Sequence, residues 1–101
     1  MKVHTESVSF KADQKLIDFI EQKLQKMEKY FDRIIEAHVT LKLENSGQIK
    51  DKIAELRLSV PGDTLVAKES AKTFESSVDS AASALRRQLL KYKDRLREQT
   101  S

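Results

Sequence analysis

Apolar residues along this chain follow two repeats, one of two residues and one close to 3.6, and the changes between them mark out its elements. Residues 2–10 are rich in Val, Thr, Ser and Phe and predict a strand, with Asp13 placed to cap the helix that follows. Leu16, Ile20, Leu24, Met27, Phe31 and Ile34 then recur at three- and four-residue steps, which predicts one helix with a single buried stripe running to about Arg33. Ala37, Val39, Leu41 and Leu43 alternate with His38, Thr40, Lys42 and Glu44, the pattern of a strand with one wet face. Asn45, Ser46 and Gly47 mark a turn. Residues 53–60 predict another strand, with Ala54, Leu56, Leu58 and Val60 on one face and Glu55, Arg57 and Ser59 on the other. Pro61, Gly62 and Asp63 turn the chain into a short strand over residues 64–68.

From Ala71 the repeat lengthens again. Phe74, Val78, Ala81, Ala82, Leu85, Leu89, Tyr92 and Leu96 share one side of a long second helix. The order strand, helix, three strands, helix predicts an α+β fold: a two-layer βαβββα domain whose four-stranded sheet carries both helices on one face and turns its polar face to solvent. Length fits one domain over residues 1–101, with no internal repeat and no linker.

Charge adds a direction to this outline. The chain carries a formal +3, yet residues 85–97 (LRRQLLKYKDRLR) hold six basic residues against Asp94 alone, a local +5. Arg86 and Arg87 lie too far from the helix end for the macrodipole to explain them, since that effect is confined to about the last turn. On the first helix, at about 100° per residue, Lys15, Lys26, Lys29 and Arg33 fall on one flank, and Asp18, Glu21, Glu28 and Asp32 nearer the other. Lys23 lies at the apolar boundary, where its stem can pack and its ammonium reach outward. Basic flanks of this kind suit phosphate oxygens, so nucleic acid is the expected partner. The competing reading is a set of solvated charges offset by local ion pairs.

Other chemistries find little support. With no cysteine there is no disulfide framework or thiolate metal site, and a reducing, cytoplasmic compartment is expected. No apolar run approaches a membrane span and the start lacks a secretory core, so a soluble protein without membrane partners is expected. Two glycines leave no room for a phosphate-cradling loop. His4 and His38 are the only histidines; each falls on a predicted strand without a metal-binding spacing, so surface positions and no metal or cofactor are expected. Serines lie outside any nucleophile turn and acids form no recognisable pair, which argues against catalysis and a small-molecule substrate. Phe31, Phe74 and Tyr92 fall on core stripes; Tyr30 is left open between stacking and packing. Double-stranded-RNA-binding domains share the helix, three strands and helix, but place their lysines at the start of the second helix, where this chain has only Lys68 and Lys72.

Three segments carry a resemblance over nearly the whole chain: KLQKMEKYFDRI at residues 23–34, the Val78–Asp79 step, and RRQLLKYKDRL at residues 86–96. Together they resemble the ribosome hibernation-promoting factors, a family also described as ribosome-associated translation inhibitors or sigma-factor modulation proteins. Lys72-Thr73-Phe74-Glu75 and Ser76-Ser77 depart from the family pattern at the second helix's start. The resemblance implies a double-stranded-RNA-binding-domain-like fold that binds the small ribosomal subunit and its 16S rRNA, within the 70S ribosome, in the mRNA/tRNA channel near the decoding centre. It implies rRNA contacts at Lys23, Lys26, Lys29 and Arg33 and at Arg86, Arg87, Lys91, Lys93 and Arg95. The implied protein is a short-form, non-enzymatic, stress-associated inhibitor, monomeric off the ribosome, which blocks translation and promotes paired, inactive ribosomes. The alternatives are a general RNA-binding module and a protein-interaction module acting on a transcription factor.

Overall fold

The computed structural model describes residues 1–46 and 49–100. In chain order the elements are β1 (Lys2–Val8), α1 (Gln14–Gln25), a 3₁₀ turn (Lys26–Lys29), β2 (Glu36–Ser46), β3 (Ile49–Val60), β4 (Asp63–Ala71) and α2 (Phe74–Thr100). The strands lie side by side in the order β1-β2-β3-β4, with β1 parallel to β2 and the other two pairings antiparallel. This is the expected βαβββα architecture. No helix among the described residues is long and apolar enough to cross a membrane.

Alternation decides which sheet face is covered. Ala37, Val39, Leu41, Ala54, Leu56, Leu58, Leu65 and Ala67 are buried beneath the helices, while Lys2, His4, His38 and Arg57 stand exposed on the other face. Both helices meet the covered face through the stripes expected of them: Leu16, Ile20 and Leu24 from α1, and Phe74, Val78, Ala81, Ala82, Leu85, Leu89 and Tyr92 from α2. Each large aliphatic side chain so buried contributes about 1.5–3 kcal/mol. Phe31, Phe74 and Tyr92 are core residues as expected, and Phe31 meets Tyr92 edge to face at 5.3 Å. The Tyr92 hydroxyl donates to the Pro61 carbonyl at 2.6 Å, pinning the middle of α2 to the β3–β4 hairpin.

Several boundaries differ from the sequence expectation. The first helix, expected to reach about Arg33, stops at Gln25 and tightens into the 3₁₀ turn. Leu24 and Met27 are three residues apart, so a three-residue turn keeps Met27 on the buried side. Beyond it the chain must open out, because the Ile35 amide donates to the Ser59 carbonyl at 2.8 Å at the entrance to β2. β4 runs three residues past the expected end, since Glu69, Ser70 and Ala71 stay paired with Ala54, Ile53 and Lys52. That pairing delays α2 from Ala71 to Phe74, where the Thr73 hydroxyl oxygen accepts from the Ser76 amide at 3.1 Å. The first strand ends at Val8 rather than Phe10, and the chain leaves it through Ser9, whose φ of 71° is left-handed. Asn45 and Ser46, expected in a turn, still belong to β2, paired with Lys50 and Ile49; Gly47 lies outside the described residues.

Topology also fixes the direction of the helices. Each helix returns along the strand preceding it, and β1, β2 and β4 all point the same way, so α1 and α2 run parallel. Their basic residues are therefore matched along two neighbouring edges rather than staggered end to end.

Candidate nucleic-acid interface

Matching along the helices is visible in three successive contacts. Near the start, the Lys23 ammonium bonds to the Asp79 carboxylate at 2.6 Å and stands 5.6 Å from the Phe19 ring centre. One stage further, the Arg86 guanidinium lies over the Tyr30 ring, 4.9 Å from its centre. At the far end, Glu28, Lys29, Tyr30, Phe31, Asp32 and Arg33 from the 3₁₀ turn and its exit face Lys93, Leu96 and Arg97 of α2 across an open cleft of about 500 Å³, whose four cations outnumber its two acids. The Arg33 guanidinium is propped 5.1 Å from the Phe31 ring, which holds it at the cleft wall.

The nine basic residues expected at the interface thus separate into groups. Lys29, Arg33 and Lys93 line the cleft between the turn after α1 and the end of α2, and Arg86 adjoins it through Tyr30. Lys23 belongs to the α1–α2 seam, but its charge is matched by Asp79. Lys26 lines a hollow with Asp18, Glu21, Gln22 and Gln25, so the clean division of α1 into a basic and an acidic flank does not hold at that position. Lys91 and Arg95 are on the opposite flank of α2, beside Leu65 and Gln88, where Arg95 approaches Asp63 at 3.5 Å. Arg87 is exposed on the outer crest. Two continuous, facing ridges are therefore not formed by all nine; one short convergence is.

Tyr30 and Arg97 were not among the expected interface residues, although both line the cleft. The signal for Arg97 was its place four residues beyond Lys93, on one flank with Arg86. Tyr30 gave no such signal, because its half-buried place depends on the 3₁₀ turn and on Arg86 opposite it. Among the described residues Lys29, Arg87, Lys91 and Lys93 form no ion pair, which leaves their charge available to an anion. Arginine and lysine at the rim of such a cleft can hold phosphate oxygens.

The open face of the sheet is of a different character. Its charges alternate in sign, with Arg57 held to Glu55 at 2.9 Å. His4 and His38 stand on the neighbouring strands β1 and β2, both close to Glu36; the His38 imidazole beside Glu36 holds its carboxyl below the usual carboxylate range. Among the described residues no nucleophile–base pair stands out on either face.

Comparison with known proteins bears on the family and the fold. The family model described as Sigma 54 modulation protein / S30EA ribosomal protein matches residues 3–97. A ribosome hibernation promoting factor of Klebsiella oxytoca is 35% identical over 81 residues, covering 80% of this chain and 81% of that protein. A ribosome hibernation promotion factor of Deinococcus radiodurans is 32% identical over 84 residues, covering 81% of this chain and 44% of that protein, so the chain spans less than half of that relative. A ribosomal subunit interface protein from Coxiella burnetii has the same fold, with a TM-score of 0.84 at 23% identity over 93% of this chain and 99% of the other. With a model matched from the third residue to the ninety-seventh and the fold shared throughout, the chain belongs to the Sigma 54 modulation protein / S30EA ribosomal protein family.

Proposed function

We propose that this protein is a ribosome hibernation factor that acts in the cytoplasm by occupying the mRNA/tRNA channel of the small subunit. Support comes from the family, whose relatives are named for ribosome hibernation, and from one observation of geometry: Lys29, Arg33 and Lys93 line a single cleft, and Arg86 lies over the ring of Tyr30, which lines it too. Folded rRNA presents phosphates at close spacing, and a cationic edge where the turn after α1 meets α2 can hold such a backbone without reading sequence. Arg33 and Arg86 are already oriented by aromatic rings, so little of their freedom remains to be lost on binding. Inhibition is then an act of occupancy: a folded body held by phosphate contacts stands where messenger and transfer RNA would lie. No bond is made or broken. Arg87, Lys91 and the weakly held Arg95 extend the same field along α2, and promotion of paired, inactive ribosomes follows from the idle state.

The test is co-sedimentation with purified ribosomes at low salt. The wild-type protein should pellet with them, and the Lys29→Glu, Arg33→Glu, Arg86→Glu, Lys93→Glu variant should stay in the supernatant. Equal retention of both refutes the cleft as the binding surface. Equal competition by duplex or unstructured RNA would instead favour a general RNA-binding module.

A further inference from the structure

The only two histidines of the chain, His4 and His38, face each other across the one parallel strand pair of the sheet. Their Cα atoms are register partners, their rings stack with centres 4.9 Å apart and planes 19° from parallel, and Glu36 lies two residues before His38 on the same face. Stacked in this way, both rings turn Nε2 toward one carboxylate. Nε2 of His38 is 3.2 Å from Oε1 of Glu36, and Nε2 of His4 is 3.5 Å from its Oε2.

We infer that His4, Glu36 and His38 form a binding site for a tetrahedral divalent cation of the zinc class, on the sheet face opposite the basic cleft. Bonds of about 2.0–2.1 Å arranged tetrahedrally place neighbouring donors about 3.4 Å apart. The two imidazole–carboxylate separations, 3.2 and 3.5 Å, are of that length; they end on the two different oxygens of Glu36, so the carboxylate ligates through both or turns to present one oxygen to the ion. The ligand atoms of all three residues lie within 4.8 Å of one another, so closing the remaining edge between the two imidazoles takes a modest ring rotation. Both rings are about half exposed and free to make it.

The donor set selects the cation. Two imidazole nitrogens and one carboxylate oxygen suit zinc, cobalt(II), nickel(II) or copper(II), whereas magnesium and calcium prefer all-oxygen shells. The fourth position opens to solvent and takes water. Lys2 and Arg57, the register partners of Glu36 and His38, are cationic and oppose a second positive charge. Arg57 is drawn toward Glu55, which lessens that opposition.

Such an ion would bind an edge strand to its neighbour. β1 is paired in the sheet with β2 alone, and a cation shared by His4 and by Glu36 and His38 would cross-link the two strands in the folded state only. This inference is independent of the ribosome-binding proposal, because the cluster and the cleft lie on different sides of the molecule.

Zinc chloride titrated into the metal-free protein at pH 7.5 should be followed by calorimetry and by the imidazole resonances in NMR. One equivalent should bind, shift both histidines and raise the thermal midpoint, with excess magnesium having no effect. His4→Gln and His38→Gln should each weaken binding at least about tenfold and abolish the rise in midpoint. Circular dichroism of both variants without metal checks that the fold persists, as exposed positions predict. Zinc affinity unchanged by either substitution, or absence of saturable binding, overturns the site.

Discussion

The guanidinium of Arg86 lies 4.9 Å from the ring centre of Tyr30, joining the middle of α2 to the turn that ends α1. This contact ties α2 to the chain leaving the 3₁₀ turn and sets a cation beside a residue that lines the cleft. A partly exposed cation–π contact contributes about 0.5–1 kcal/mol. A double-mutant cycle with Arg86→Ala and Tyr30→Leu, read by urea unfolding, should return a coupling energy of that size; additivity would show that the contact carries no energy.

Lys23 and Asp79 form a second tie, near the start of the seam, and their charges cancel locally. Exposed pairs of this kind are worth about 0.2–1 kcal/mol. Lys23→Ala should therefore cost little stability and leave ribosome retention nearly unchanged, while Lys93→Ala, at the cleft, should weaken it clearly. A Lys23 substitution as damaging as that of Lys93 would move the binding surface toward α1.

Salt dependence gives an independent count of phosphates. With about four neutralised by Lys29, Arg33, Arg86 and Lys93, the logarithm of affinity should fall with the logarithm of salt at a slope of about −2.8 to −3.6. Removing one of these cations should reduce the slope by roughly 0.7–0.9. Filter binding or sedimentation across a salt series measures it.

At the β3–β4 hairpin, Gly62 has a φ of +79° and open space where a Cβ would stand. Backbone strain alone should therefore set the effect of substitution, and Gly62→Ala should destabilise by about 1 kcal/mol. Gly62→Asn should cost less, since asparagine tolerates the left-handed region. Thermal unfolding of the two variants separates this from any steric effect.

Beside the hairpin, Tyr92→Phe removes the hydroxyl that donates to the Pro61 carbonyl while keeping the ring against Phe31. A loss of about 0.5–1.5 kcal/mol is expected by chemical denaturation. A larger loss would mean that the hydrogen bond also orders the end of the sheet.

Much of the fold was legible because its strands and helices each keep one apolar face. Alternation at residues 37–43 and 54–60 named the covered face of the sheet, and the α2 stripe from Phe74 to Tyr92 is buried as its spacing predicted. The end of the first helix was not legible, because the three- and four-residue steps of Leu24, Met27 and Phe31 suit an α-helix and a 3₁₀ turn alike. The extent of β4 was equally hidden: Glu69 and Ser70 are exposed, and only the partner strand keeps them extended.

Residue type and spacing by themselves determined the βαβββα order, the buried stripes and the concentration of positive charge on α2, since each is a local periodicity or a local sum. Tertiary structure alone decided which of those charges meet. The turn after α1 brings Lys29 and Arg33 to Lys93 and sets Tyr30 beneath Arg86, while packing gives Lys23 to Asp79 and turns Arg95 toward Asp63. It alone set His4 beside His38, for strand register couples residues far apart in sequence and no local pattern encodes which strand lies next to which.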